Sequence, residues 1–216
     1  MLHPTLSGIR FDNVSFRYED GDSQLFSGFN FDFAPGSKTA LMGETGAGKT
    51  TLFRLMLGFI RPDSGSITIY GKDGSLEVGE ATRPDFVYVP QGNTLMSGTI
   101  RFNLQLAAPD ATDSQLEEVL HIACADFVYE LPEGIDTVLG ERGNGLSEGQ
   151  AQRIAIARGL LRPGSILLLD EISSSLDAAT ESELYDRLFA ARPDETMIFI
   201  THRPNVTTHC DGILSL

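Results

Sequence analysis

Gly43-Glu-Thr-Gly-Ala-Gly-Lys-Thr50 decides how this chain is read. It fits G-x-x-x-x-G-K-[ST], the pattern of a phosphate-binding loop. Glycines in such a loop let backbone N–H groups turn inward and approach phosphates that side chains would hold off. Lys49 supplies a point charge for the β- and γ-phosphates, and the Thr50 hydroxyl is a ligand for Mg²⁺. The flanks agree, since Thr39-Ala-Leu-Met42 reads as a short buried strand and Thr51 to Leu57 as a helix whose N-terminal dipole favours anions. The stretch therefore predicts a nucleoside-triphosphate site made by Gly43, Glu44, Thr45, Gly46, Ala47, Gly48, Lys49, Thr50 and Thr51.

Outward from the loop, Ile9, Phe11, Val14, Phe16 and Tyr18 alternate with polar residues, with one break in register, and Phe29, Phe31 and Phe33 recur at period two. Ser64 to Gly71 and Phe86 to Val89 read as further strands. From Ile100 to Leu161 the pattern turns helical. Thr112 or Asp113 caps one helix and Ser147 precedes another, with Ile154, Ala157 and Leu161 at helical spacing. Ile166-Leu-Leu-Leu169 is an apolar strand, followed by a helix from Ala178 to Ala190 and strands at Thr196–Thr201 and Gly212–Leu216. Strands alternating with helices around a phosphate loop imply an α/β fold with a mostly parallel sheet, an antiparallel β lobe at the front and an inserted α-helical lobe.

The composition excludes several classes. The 216 residues are 41% hydrophobic, enough for a real core, and carry a formal net charge of −14. That surface repels phosphate backbones, and Lys and Arg are scattered, so no nucleic-acid partner is expected. Cys124 and Cys210 are far apart and outside metal-ligand spacing, which suggests a reducing compartment and two small apolar fillers. No apolar run reaches bilayer length and the N-terminus resembles no signal peptide, so the expectation is a soluble chain.

Two carboxylates end the Ile166 strand. Asp170, delivered to the C-terminal edge of the sheet, is placed to hold Mg²⁺ through water, and Glu171 to polarise an attacking water as base or positioning group. Gln91 follows the Phe86 strand and offers an amide to Mg²⁺ or to the water. His202, at the end of the Thr196 strand, could hydrogen-bond the γ-phosphate, though a lone His there also suits a structural role.

Gly43–Thr50, Gln91, Leu146-Ser-Glu-Gly-Gln150, Leu167-Leu-Leu-Asp-Glu171, Ser174-Ser-Leu-Asp177 and His202 stand in the order of ABC ATPase domains. The chain resembles the nucleotide-binding domain of an ABC transporter from end to end. Phe16-Arg-Tyr18, Ser97 to Asn103, Gly140-Glu-Arg-Gly143 and the closing Cys210–Leu216 are similar to the exporter branch. The resemblance implies a P-loop NTPase (RecA-like) core in a single domain, 1–216, with 1–90 and 162–216 as catalytic core and β lobe and 91–161 as helical lobe. It implies an Mg²⁺-dependent ATPase with ATP and Mg²⁺ as cofactors. Tyr18 would stack on adenine, although an aromatic at the end of a strand is also common in plain sheets. Ser147, Gly149, Gln150 and Asp177 would serve the site of a second ABC ATPase domain, identical or different, and Glu141 would face the transporter's coupling helices or sit in an exposed salt bridge.

Glu148 departs from the family's usual glycine, and the segment Leu76 to Asp85 departs from the usual exporter pattern. The implied function is the motor domain of an exporter at the cytoplasmic face of a membrane, attached to or fused with transmembrane domains. The abrupt start at Met1 suits an excised domain. The alternatives are a free-standing subunit docking on a separate permease, or a non-transport ABC ATPase. Against the latter, the chain has neither a coiled-coil interruption nor a second cassette.

Overall fold

The computed structural model describes residues 5–19, 24–140 and 145–216; Glu141 and part of the Glu19–Ser23 turn lie outside them. In chain order the elements are β1 (Leu6–Phe16), β2 (Phe26–Phe33), β3 (Lys38–Met42), α1 (Lys49–Met56), β4 (Ser64–Gly71), β5 (Gly74–Glu77), β6 (Phe86–Val89), β7 (Gly98–Thr99), α2 (Ile100–Gln105), α3 (Asp113–Ile122), β8 (Val138–Leu139), α4 (Glu148–Leu160), β9 (Ile166–Asp170), α5 (Ala178–Ala191), β10 (Thr196–Ile200) and β11 (Gly212–Ser215). They fall into two units. One holds the described residues up to Val87 with Pro163–Leu168 and Asp194–Leu216; the other holds Tyr88–Arg162 and Leu169–Pro193.

The first unit carries an antiparallel sheet in the order β2-β1-β4-β5. Ile9, Phe11, Val14 and Phe16 of β1 are all buried. The register break expected within this strand is real: pairing with β2 shifts between Phe11 and Val14, and Asn13 between them has φ 50. An extra residue in one strand flips the alternation, and Asn tolerates the left-handed backbone better than most side chains. Phe11 meets Phe29 and Phe33 edge-on, with ring centroids 5.4 and 6.2 Å apart, so the period-two phenylalanines of β2 pack against β1.

The same unit contains the start of every strand of a second sheet, ordered β11-β3-β10-β9-β6. β3 lies between β11 and β10, parallel to both, with Leu41 opposite Ile200 and Leu214. Ile166–Leu169 and Met197–Ile200 are buried throughout, the unbroken apolar run expected of strands covered on both faces. The last residues of β6 and β9 belong to the second unit.

In the second unit α4 packs on α2 and α3, and α3 on α5. Leu116 and Leu120 of α3, Ile154 and Ala157 of α4, and Leu184 and Leu188 of α5 are all fully buried. Thr112 caps α3, accepting from Gln115 N at 3.3 Å while Gln115 Oε1 accepts from Thr112 N at 2.9 Å. This reciprocal box satisfies amides that would otherwise lack a helical partner.

Short elements escaped the periodicity. β7 and β8 pair over two residues each, and β5 has every residue exposed, so neither alternation nor burial marks them in the sequence. The divergent Leu76–Asp85 segment comprises the end of β5 and a 3-10 helix at Glu80–Asp85. Among the described residues, no helix is long and apolar enough to cross a membrane.

Candidate nucleotide site

β3 ends at Met42 and the chain turns through Gly43, Gly46 and Gly48, with φ of 153°, 89° and 105°. These values lie in the left-handed region, which a side chain disfavours. A Cβ at Gly43 would also stand 2.8 Å from the Leu216 carbonyl oxygen, whereas one at Gly46 would meet nothing within 4 Å. The loop is thus pinned at one end and open at its tip.

The helix that follows is capped differently from the rest. α2, α3, α4 and α5 each start on a side chain that accepts from their first-turn amides. α1 starts on Gly48, with no side-chain cap and no acidic residue in its first turn. Its first amides are therefore left for an external anion. Lys49, buried, folds its ammonium back onto the loop and donates to Gly43 O at 2.7 Å and Glu44 O at 2.8 Å. Thr50 is exposed and Thr51 buried. Tyr18 is 38% exposed and packs edge-on against Phe16. Its hydroxyl lies 3.0 Å from Thr51 Oγ1 and accepts from Arg54 at 3.3 Å, so the ring is tethered to α1. His202 is exposed, two residues beyond Ile200, whose β3 partner Leu41 precedes the loop.

The second unit brings together Tyr88, Gln91, Asp170 and Glu171. Asp170 is 9% exposed and Tyr88 donates its hydroxyl to Asp170 Oδ2 at 3.2 Å. Gln91 Nε2 donates to Glu171 Oε2 at 2.8 Å. Glu171 has φ 47, and its carbonyl accepts from Ser174 N at 3.1 Å, so the chain leaves β9 through a left-handed turn. For a residue with a side chain that backbone costs about 1–2 kcal/mol, which the surrounding contacts must offset.

Ser147 caps α4 by accepting from Gln150 N at 3.2 Å, and Gln150 Oε1 accepts from Ser147 N at 2.9 Å. Gln150 is thereby used in its own helix start. Glu148 is exposed in the first turn, where a negative charge suits the helix dipole. Asp177 caps α5 through Ala179 N and Thr180 N at 3.1 and 3.0 Å and Thr180 Oγ1 at 2.7 Å. The bonds from Thr180 hold its carboxyl below the usual range.

A Cβ on Gly149 would stand 2.8 Å from Ser175 O and 3.3 Å from Leu176 Cδ2. The start of α4 thus rests directly on the turn that follows Glu171. We expect Gly149→Ala to lower stability by about 1–3 kcal/mol and to reduce ATP turnover, with ATP binding by the phosphate loop unchanged. A thermal-unfolding midpoint equal to the parent's would rule out this contact as the reason for the glycine.

A family model described as ABC transporter matches residues 26–174. The chain belongs to the ABC transporter family. It is 39% identical over 96% of its length to the ATM1-type heavy metal exporter of Novosphingobium aromaticivorans, covering 34% of that protein. It is 37% identical over 95% of its length to the mycobactin import ATP-binding/permease protein of Mycobacterium tuberculosis, covering 36% of it. The solved structure of a bacterial Atm1-family ABC exporter with ATP bound superposes with a TM-score of 0.90 at 37% identity, over all of this chain and 38% of that one. The chain therefore spans about a third of the length of the curated relatives it matches. The fold is the P-loop NTPase fold of an ABC ATP-binding domain.

The residues of this ABC domain fit the groups the family implies. An uncapped α1 and an open loop tip suit a polyphosphate in the first unit; the Thr50 hydroxyl there and, taken by itself, the Asp170 carboxylate of the second unit are each a hard oxygen donor of the kind Mg²⁺ prefers. Sequence reasoning missed the residues that fasten the site. Thr51 and Arg54 hold Tyr18; Tyr88 meets Asp170. Ser173 donates to Glu181 at 2.5 Å and accepts from Tyr185 at 3.0 Å beneath the post-Glu171 turn. Each joins side chains from different elements or turns, at no spacing that a local pattern marks. Cys124 is buried and its thiol is pushed up to about 11 by that burial, so it is inert filler at neutral pH.

Proposed function

We propose that this chain is the Mg²⁺-dependent ATPase motor of an ABC exporter, working as a head-to-tail pair of domains that closes on ATP and reopens after hydrolysis. The observation that carries this is the catalytic pair in the second unit, Glu171 held by Gln91 at 2.8 Å in a backbone turn that an ordinary strand end does not use.

Lys49 leaves the loop carbonyls for the β- and γ-phosphates, a stronger charge-assisted contact than the neutral ones it gives up. Thr50 and Gln91 would each offer an oxygen to Mg²⁺, and Asp170 would hold it through water; the ion, when bound, would supply positive charge against the phosphates. Glu171 accepts the proton of the attacking water or fixes its orientation, and the Gln91 amide keeps that carboxylate aimed. His202 hydrogen-bonds the γ-phosphate and Tyr18 stacks on adenine. From the second domain, Ser147 and the Gly149 N–H close the site over the γ-phosphate, with Asp177 fixing the turn beside them. Each chain carries both halves, which favours identical partners.

The name ATP-binding/permease protein borne by a relative supports fusion to transmembrane domains, and hence a place at the cytoplasmic face of a membrane. Of the two relatives described above, one is named for import and one for export, so sequence likeness in this domain does not track direction. Exporter architecture rests on the likeness to the Atm1-family structure, and the substrate is chosen by membrane helices. The test is the Mg²⁺-dependent ATPase rate per chain against protein concentration. A rate that climbs with concentration is expected for a pair assembled by ATP. A flat rate would need a permanent pair, and a flat rate from a species that is monomeric by light scattering would reject the composite site.

A further inference from the structure

β9 ends in two adjacent carboxylates, and each is met by a neutral donor from the end of β6. Gln91 serves Glu171, and Tyr88, three residues earlier, serves Asp170. The first pairing belongs to the mechanism above. The second involves a residue that no motif marks, on a strand whose other members, Phe86, Val87 and Val89, are buried and apolar.

We propose that Tyr88 is a positioning residue for the metal-binding carboxylate of Asp170, fixing its orientation before Mg²⁺ arrives. Asp170 follows four buried aliphatic residues and is itself 9% exposed, a setting in which polar groups are held by hydrogen-bond donors. A cationic donor would supply one but would cancel the charge that attracts the metal. A phenol hydroxyl supplies a hydrogen bond and adds no charge of its own. Donation to Oδ2 also restrains rotation about the carboxylate axis, which removes an ordering cost from metal binding. Partners of this kind, one step removed from the metal, typically change affinity by about 10–100-fold. The length of 3.2 Å puts Tyr88 at the lower end.

The proposal rests on Asp170 being a metal ligand, and the experiment separates the two ideas. Mn²⁺, standing in for Mg²⁺, is titrated into the protein with a non-hydrolysable ATP analogue and followed by its paramagnetic resonance signal. Tyr88→Phe removes only the hydroxyl. It is expected to weaken Mn²⁺ binding about tenfold, to leave metal-free nucleotide binding unchanged, and to regain turnover as Mg²⁺ is raised. Parent-like Mn²⁺ affinity in Tyr88→Phe, alongside lost affinity in Asp170→Asn, overturns the role of Tyr88 alone. Unchanged affinity in Asp170→Asn overturns the metal reading and this proposal with it. Loss of metal-free nucleotide binding in Tyr88→Phe would make the tyrosine a packing residue and equally reject the proposal.

Discussion

Glu171→Gln is expected to lower the ATPase turnover by about 10²–10⁴-fold, the range for removing a general base, while nucleotide binding persists. The substitution is close to isosteric. Gln91 donates to Glu171 Oε2, and the amide oxygen of a glutamine can accept that same bond, so the turn at φ 47 and its neighbours stay in place. What disappears is basicity and one negative charge. The charge matters for assembly, because a carboxylate beside the γ-phosphate opposes closure of the pair. Its removal favours the closed state just as hydrolysis, the exit from that state, is blocked. A closed ATP-bound pair should therefore accumulate and be visible as a shift to dimer size on adding Mg²⁺ and ATP. Turnover within a few-fold of the parent would remove Glu171 from the chemistry. Lost turnover together with lost nucleotide binding would mean instead that the residue holds the fold.

How much of this was legible in the sequence follows from what leaves a local trace. The phosphate loop was, because glycine at 43, 46 and 48 answers a backbone demand that is met residue by residue. β9 and β10 were, because strands covered on both faces must be apolar throughout. Even the break in β1 was visible, as a lost alternation that the structure resolves into a bulge at Asn13. β5, β7 and β8 were not: they are too short or too exposed to show a period. In the candidate site, the residues proposed for the chemistry could be named from motifs, but their restraints could not. Nothing local ties Tyr88 to Asp170, 82 positions away, or Tyr18 to Thr51, 33 away. Asp177 and Gln150 show the converse. Their motif positions were plain, yet the structure puts their side chains to work capping α5 and α4.

Ser147→Arg is expected to abolish turnover, by about 10²-fold or more on the scale of losing one donor to developing phosphate charge, without weakening ATP binding to the same chain's phosphate loop. Ser147 and Lys49 lie in separate units of the chain, and in a head-to-tail pair they serve different nucleotides. A bulky side chain at 147 then blocks the partner's site and leaves its own loop intact. Arginine also removes the cap of α4, where Ser147 Oγ accepts from Gln150 N, at a cost of about 1 kcal/mol. Ser147→Asp controls for that loss. Aspartate caps a helix as well as serine does, yet sets a negative charge against the γ-phosphate, so it should fold normally and be equally inactive. The decisive measurement mixes Ser147→Arg with Lys49→Ala, each silent alone. A mixed pair rebuilds one site from the loop of the first chain and the signature of the second, so turnover should return on mixing. Weakened ATP binding in monomeric Ser147→Arg would instead put Ser147 in its own chain's site and end the case for the shared one.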